Sequence, residues 1–168
     1  MDTWVLVVAA DLKRDKGTVA VGPETARVLR KAAKEAKAIP GARLCMTAGR
    51  SPRYNVSMGS GPMRTYLQET CGIESGIVTP SGTDAPFTTN GEMMVFADML
   101  FKRPERRPHI RLVVRWWHAP RARALLKARL RENAVRVESI SVVPVWSLDL
   151  LGIVREPLAW LKNIPNLK

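Results

Sequence analysis

The sequence predicts an α/β fold, a Rossmann-like three-layer sandwich built on a mostly parallel sheet of about five strands. Three observations predict it. Short β-prone apolar runs alternate with longer stretches of helical periodicity along the chain. Several of those runs are nearly continuous in apolar character, as strands covered on both faces are. Finally, 168 residues of which 46% are hydrophobic supply one substantial core and are few for two. Residues 1–168 are therefore expected to form one domain, with 146–168 a helical tail packed on it.

The first run, "TWVLVVAAD", reads as a buried strand ending in Asp11. It is too short for a membrane span or for the apolar core of a secretory leader. The polar, glycine-broken "LKRDKGTVAVG" reads as a connection. Next, "PETARVLRKAAKEAKAI" places Pro23 in the first helical turn and Ala26, Leu29, Ala33 and Ala36 at helical spacing. Pro40-Gly41 stops that helix, and "ARLCMTAG" forms a second strand that runs into a long polar loop.

Beyond the loop, "PMRTYLQETCG" is a helix ended by Gly72, and "GIVTP" a short third strand. The connection "SGTDAPFTTNG" leads into the apolar helix "EMMVFADMLFK". "HIRLVVRW" is a strand, "APRARALLKARLREN" a helix and "AVRVESISVVPV" the last strand. The tail "WSLDLLGIVREPLAWLKNI" reads as one or two short helices, with Pro157 at a break or a helix start.

Helical crossovers between parallel strands gather all strand ends at one edge of a sheet, where such folds bind their ligands. That rule brings together Asp11, the loop residues Gly49, Arg50 and Ser51, the helix start at Thr88, Thr89 and Asn90, and the junction carrying His118 and Arg121. Gly49 permits close backbone approach, and Arg50 and Ser51 supply donors ahead of a helix start, which favours anions. His118 can donate, accept or shuttle a proton, while the Arg121 fork suits an anionic oxygen. Each has a plainer reading: His118 as a helix cap, Thr88 to Asn90 as caps of the next helix, Arg27 as a solvated charge.

The Gly-rich stretch lacks a Walker pattern, and Gly59-Ser60-Gly61 follows a loop instead of a strand, so no nucleotide fingerprint is present. Cys45 and Cys71 form neither a CxxC pair nor a Cys/His cluster; no metal site and no disulfide framework is expected, and a reduced cytoplasmic setting fits. The formal charge of +12 favours anionic partners in general. Nucleic acid is the competing partner. Arg121, Arg123, Lys127, Arg129 and Arg131 spread around much of a helix circumference, which argues against a recognition helix and for weak, non-specific association at most.

The order of motifs resembles the YdcF/SanA-like family, a bacterial group of Rossmann-like α/β proteins of largely unassigned function. The resemblance spans most of the chain: an apolar first strand, a first helix bearing Arg27, a strand ending in Thr47-Ala48-Gly49, a Thr-centred loop, and "VVRWWHAPRA", whose His118 and Arg121 match the family's His-x-x-Arg at a helix start. The chain departs from the family's Ser-Glu-Ala at Ser60-Gly61-Pro62, and from its Asn-Thr-x-Glu-Asn at Phe87 to Gly91, where Thr88 is retained. The resemblance implies a pocket for a small anionic or nucleotide-like ligand, with S-adenosylmethionine or a nucleotide sugar as the ligand class. It implies no particular reaction.

Overall fold

The computed structural model describes residues 2–8, 12–15, 18–46, 61–79, 88–103, 107–147 and 150–164. Its main sheet contains β1 (Thr3–Val7), β4 (Arg43–Met46), β5 (Ile77–Val78), β6 (His109–Arg115) and β7 (Ser139–Val145). They lie side by side in the order β5-β4-β1-β6-β7, all parallel. The α/β Rossmann-like architecture expected from the alternation of runs is present. The chain moves outward from β1 to β5, then returns to the other side of β1 with β6. The gap between the carboxyl ends of β1 and β6 is thus the point where strand order reverses, the place where open α/β sheets leave a crevice.

Alternation along the central strands feeds two separate cores. Val5 and Val7 of β1, with Val113 of β6, meet Val28, Leu29 and Ala32 of α1 (Pro23–Ala38), and Met63 and Leu67 of α2 (Pro62–Thr65) and its π-helical continuation (Tyr66–Thr70). Trp4, Leu6 and Val8, with Ile110, Leu112 and Val114, meet Met93, Phe96 and Ala97 of α3 (Thr89–Phe101), and Ala122, Leu125 and Leu126 of α4 (Ala119–Glu132). Period-two side chains on a doubly covered sheet therefore sort the helices into two outer layers. Trp4 anchors the second layer, its ring edge-on to Phe96 with centroids 5.9 Å apart.

Three local expectations are corrected. The stretch read as a polar connection contains an antiparallel hairpin, β2 (Leu12–Asp15) with β3 (Thr18–Val21), pairing Leu12 with Val21 and Asp15 with Thr18. Its strands pair only with each other, so they need no continuous apolar run, and the charged "LKRD" concealed the first of them. The last strand begins at Ser139, because Ala134, at φ +51°, closes α4 and Val135 N donates to Leu130 O in a left-handed helix end. Pro157 lies inside a single helix, α5 (Leu150–Asn163), instead of dividing two. It is exposed, so its ring meets solvent where a helix interior tolerates it best.

Candidate functional site

In a βαβ crossover each helix starts where the preceding strand ends, so α3 and α4 both begin at the carboxyl edge of the sheet. Past β6 the chain folds through a short 3-10 turn, Trp116–His118, and Pro120 follows in the first turn of α4. His118 occupies the cap position of α4, but its side chain makes no capping hydrogen bond. One stripe of α4, His118, Ala122, Leu125 and Arg129, lies toward α3. Thr89 bonds to the first of these residues and Asn90 to the last.

The imidazole is 6% exposed and bonded on both sides. Nε2 lies 2.9 Å from Thr89 Oγ1. Nδ1 lies 3.2 and 3.3 Å from the two carboxylate oxygens of Glu156 on α5, itself 7% exposed. Arg121, one turn into α4, grips the same carboxylate with two prongs, Nε to Oε1 at 2.7 Å and Nη2 to Oε2 at 3.2 Å. Its Nη2 is also 3.0 Å from His118 Nδ1.

That crowding around Nδ1 defines two proton arrangements. With the proton on Nδ1, the ring donates to Glu156, and Nε2 accepts from the Thr89 hydroxyl. This is the hydroxyl, imidazole and carboxylate order of a proton relay. With the proton on Nε2, the ring donates to Thr89, and Nδ1 accepts from Arg121. A shift of one proton exchanges a base facing Thr89 for a donor facing it.

Electrostatics keep the imidazole uncharged. Burial lowers the His118 pKa below its ordinary value; the Glu156 hydrogen bond opposes this, and Arg121 and Arg115 reinforce it. For Glu156 burial acts upward, but the hydrogen bonds from His118 and Arg121 together outweigh it and hold the carboxyl below its usual range. Glu92, buried on α3, behaves in the opposite way. Desolvation drives its pKa well above the carboxylate range, with Arg121 pulling weakly downward, so the protonated acid is favoured. The bonded cluster thus joins an imidazole whose charged form burial disfavours to a carboxylate that its partners hold ionised, while buried Glu92 is pushed the other way, the kind of divergence that separates acid from base roles.

Aromatic side chains wall the turn. Trp117 has its ring centroid 5.5 Å from that of His118 and carries the Arg115 guanidinium 4.5 Å from its own centroid. Among the described residues its buried indole N–H has no hydrogen-bond partner. Trp116 donates to Ser147 O at 3.1 Å and stacks on Trp146 at 5.1 Å, tying the chain before α5 to the turn after β6.

Of the residues expected at this edge, Thr89, His118 and Arg121 come together directly. Thr88 caps α3, its hydroxyl accepting from Gly91 N at 3.1 Å, and Asn90 accepts from Arg129 Nε at 2.9 Å. Arg27 pairs with Glu24 at 3.2 Å on the exposed side of α1 and does not reach the cluster. Asp11, Gly49, Arg50 and Ser51 lie outside the described residues. Glu156 was not anticipated: the one signal was a carboxylate in an apolar-rich tail, 38 positions from its partner. Arg121 and Arg129 turn to partners within the protein, leaving Arg123, Lys127 and Arg131 exposed in one row a turn apart.

A second concavity, a groove of about 670 Å³, is lined by Val19 and Val21 of β3 and by Pro62, Tyr66 and Thr70 of the α2 segment. None of the cluster residues borders it. No family model, curated protein or solved structure matches the chain.

Proposed function

We propose that the chain binds a small anionic or nucleotide-like ligand at the carboxyl edge of its sheet, beside Thr89, His118 and Arg121. One observation carries this reading: Arg121 and His118 already hold a carboxylate, that of Glu156, in a desolvated position where β6 gives way to α4. An arginine fork with a neutral imidazole suits a carboxylate or phosphate oxygen, and a helix start favours the same charge. The ligand's anion sits against this set or exchanges with Glu156, and the Thr89 hydroxyl supplies a further polar contact. The resemblance to YdcF/SanA-like proteins enters on the same footing, and with it S-adenosylmethionine and nucleotide sugars as ligand classes to test.

The exposed row Arg123, Lys127 and Arg131 supports a second, weaker reading, association with nucleic-acid backbones. Three cations on one helix face supply counterion release and no base readout, so this binding is non-specific and falls steeply with salt.

The deciding experiment is a thermal-shift screen with nucleotides, nucleotide sugars and S-adenosylmethionine, followed by titration of any hit. A ligand at a hundred times its dissociation constant stabilises the native chain by about 2.7 kcal/mol. His118→Ala and Arg121→Lys are expected to keep the fold and lose the shift. A hit whose affinity is unchanged in both variants assigns the ligand elsewhere and sinks this reading.

A further inference from the structure

Helix α5 has two faces of different kinds. Buried Glu156 points to Arg121 and His118, and half-buried Ile153, Ala159 and Trp160 lie on the same side. At about 100° per residue, Leu150, Val154, Leu158 and Leu161 fall in one arc on the opposite side. They are 71%, 73%, 64% and 64% exposed, and Trp146, just ahead of the helix, is 72% exposed. A single exposed leucine is ordinary, but an unbroken row of large apolar side chains on a polar protein marks a surface that meets something else. Arg155 and Lys162, both exposed, fall together along one margin of the arc.

We propose that this face of α5 seats the protein on an anionic membrane surface, with the helix lying in the plane of the interface. Fourteen residues give about 21 Å of helix, short of the ~30 Å hydrocarbon core, and among the described residues no helix is long and apolar enough to cross a membrane. Such a helix can instead bury its apolar arc at the boundary of headgroups and acyl chains. Charge selects this occupant over a second copy of the chain. Two copies would each bring a formal charge of +12, whereas an anionic leaflet attracts that charge. Arg155 and Lys162 stand where their stems lie along the arc and their heads reach lipid phosphates. The inward contacts of Glu156 are untouched by this seating, so it stands independently of the ligand reading.

Co-sedimentation of the full chain with vesicles tests the idea. Binding is expected to phosphatidylcholine vesicles that contain phosphatidylglycerol, to weaken as salt rises, and to be at least tenfold poorer with phosphatidylcholine alone. Val154→Asp and Leu158→Asp each remove binding while circular dichroism and thermal unfolding stay near those of the parent chain, because both side chains are exposed. The double change Arg155→Glu with Lys162→Glu weakens binding to anionic vesicles selectively. The proposal fails if the parent chain stays in the supernatant with both vesicle types, or if the Asp variants sediment as well as the parent. It also fails if ultracentrifugation shows a dimer that Val154→Asp dissociates, which would give the face to a second copy.

Discussion

The groove between β3 and α2 is roomy and largely apolar; the cluster at the start of α4 is desolvated and chemically dense. In the groove, half-buried Val19 and Tyr66 line an open concavity, and its carboxylate, Glu69, is exposed to water. At the cluster, His118, Glu156 and Glu92 are each less than a tenth exposed, and His118 and Glu156 share one guanidinium. The contrast shows that desolvation, more than volume, concentrates chemistry. Two unit charges 4 Å apart interact by about 1 kcal/mol in water and about 4 kcal/mol at the effective dielectric near a protein surface. Groups pulled out of water therefore perturb one another's protonation.

The sharpest way to break that comparison is to remove the shared carboxylate. Glu156→Ala leaves Arg121 buried without its partner and is expected to destabilise the chain by about 3–5 kcal/mol in denaturant unfolding. Tyr66→Ala in the groove, where the ring is only half buried, is expected to lower stability by about 1 kcal/mol. Equal losses would mean that the cluster has no special weight.

Glu92 gives the next effect. Its folded pKa is raised, so above the ordinary carboxylate value the unfolded chain releases a proton that the folded chain retains. Stability then falls as pH rises, by up to about 1.4 kcal/mol per pH unit until the folded pKa is passed. Glu92→Gln is expected to abolish this decline and to be more stable than the parent at pH 8, with the gap closing toward pH 4. Parallel stability curves for the two proteins would show that Glu92 ionises freely.

His118 works with the opposite sign. Its folded pKa is lowered, so below pH 6.5 the unfolded chain takes up a proton that the folded chain refuses, and stability is lost on acidification through that window. The Glu92→Gln background isolates this slope, and adding His118→Gln is expected to flatten it. Smallest is Thr89→Val, which removes one neutral hydrogen bond to Nε2 and is expected to lower stability by about 1 kcal/mol, with Thr89→Ser recovering most of it. A loss as large as that of Glu156→Ala would place the hydroxyl, not the charge pair, at the centre of the network.

Much of the frame was legible in the residues. Continuous apolar runs such as "WVLVV" reveal strands because a central strand of a sheet covered on both faces buries its side chains on either side. The position of His118 just past such a strand was enough to put it at the carboxyl edge. Less legible was the β2–β3 hairpin, whose strands bury little, and the continuity of α5 through Pro157, which depends on that residue facing water. The partners of the basic residues on α4 were not legible, because a helical wheel shows where side chains point and not which of them find a partner: Arg121 and Arg129 are bonded to Glu156 and Asn90.

By itself the sequence determined the alternation of strands and helices, the parallel sheet that follows from it, and the meeting of Thr89 and His118 at one edge, because these rest on local periodicity and on the handed geometry of crossovers. Tertiary structure alone decided that a carboxylate from the tail meets both His118 and Arg121, that burial pushes Glu92 toward its protonated form, and that α5 turns Leu150, Leu158 and Leu161 outward. Those outcomes depend on which surfaces dock and which groups lose water. Residues as distant as 118 and 156 acquire their chemistry only when packing removes the solvent between them.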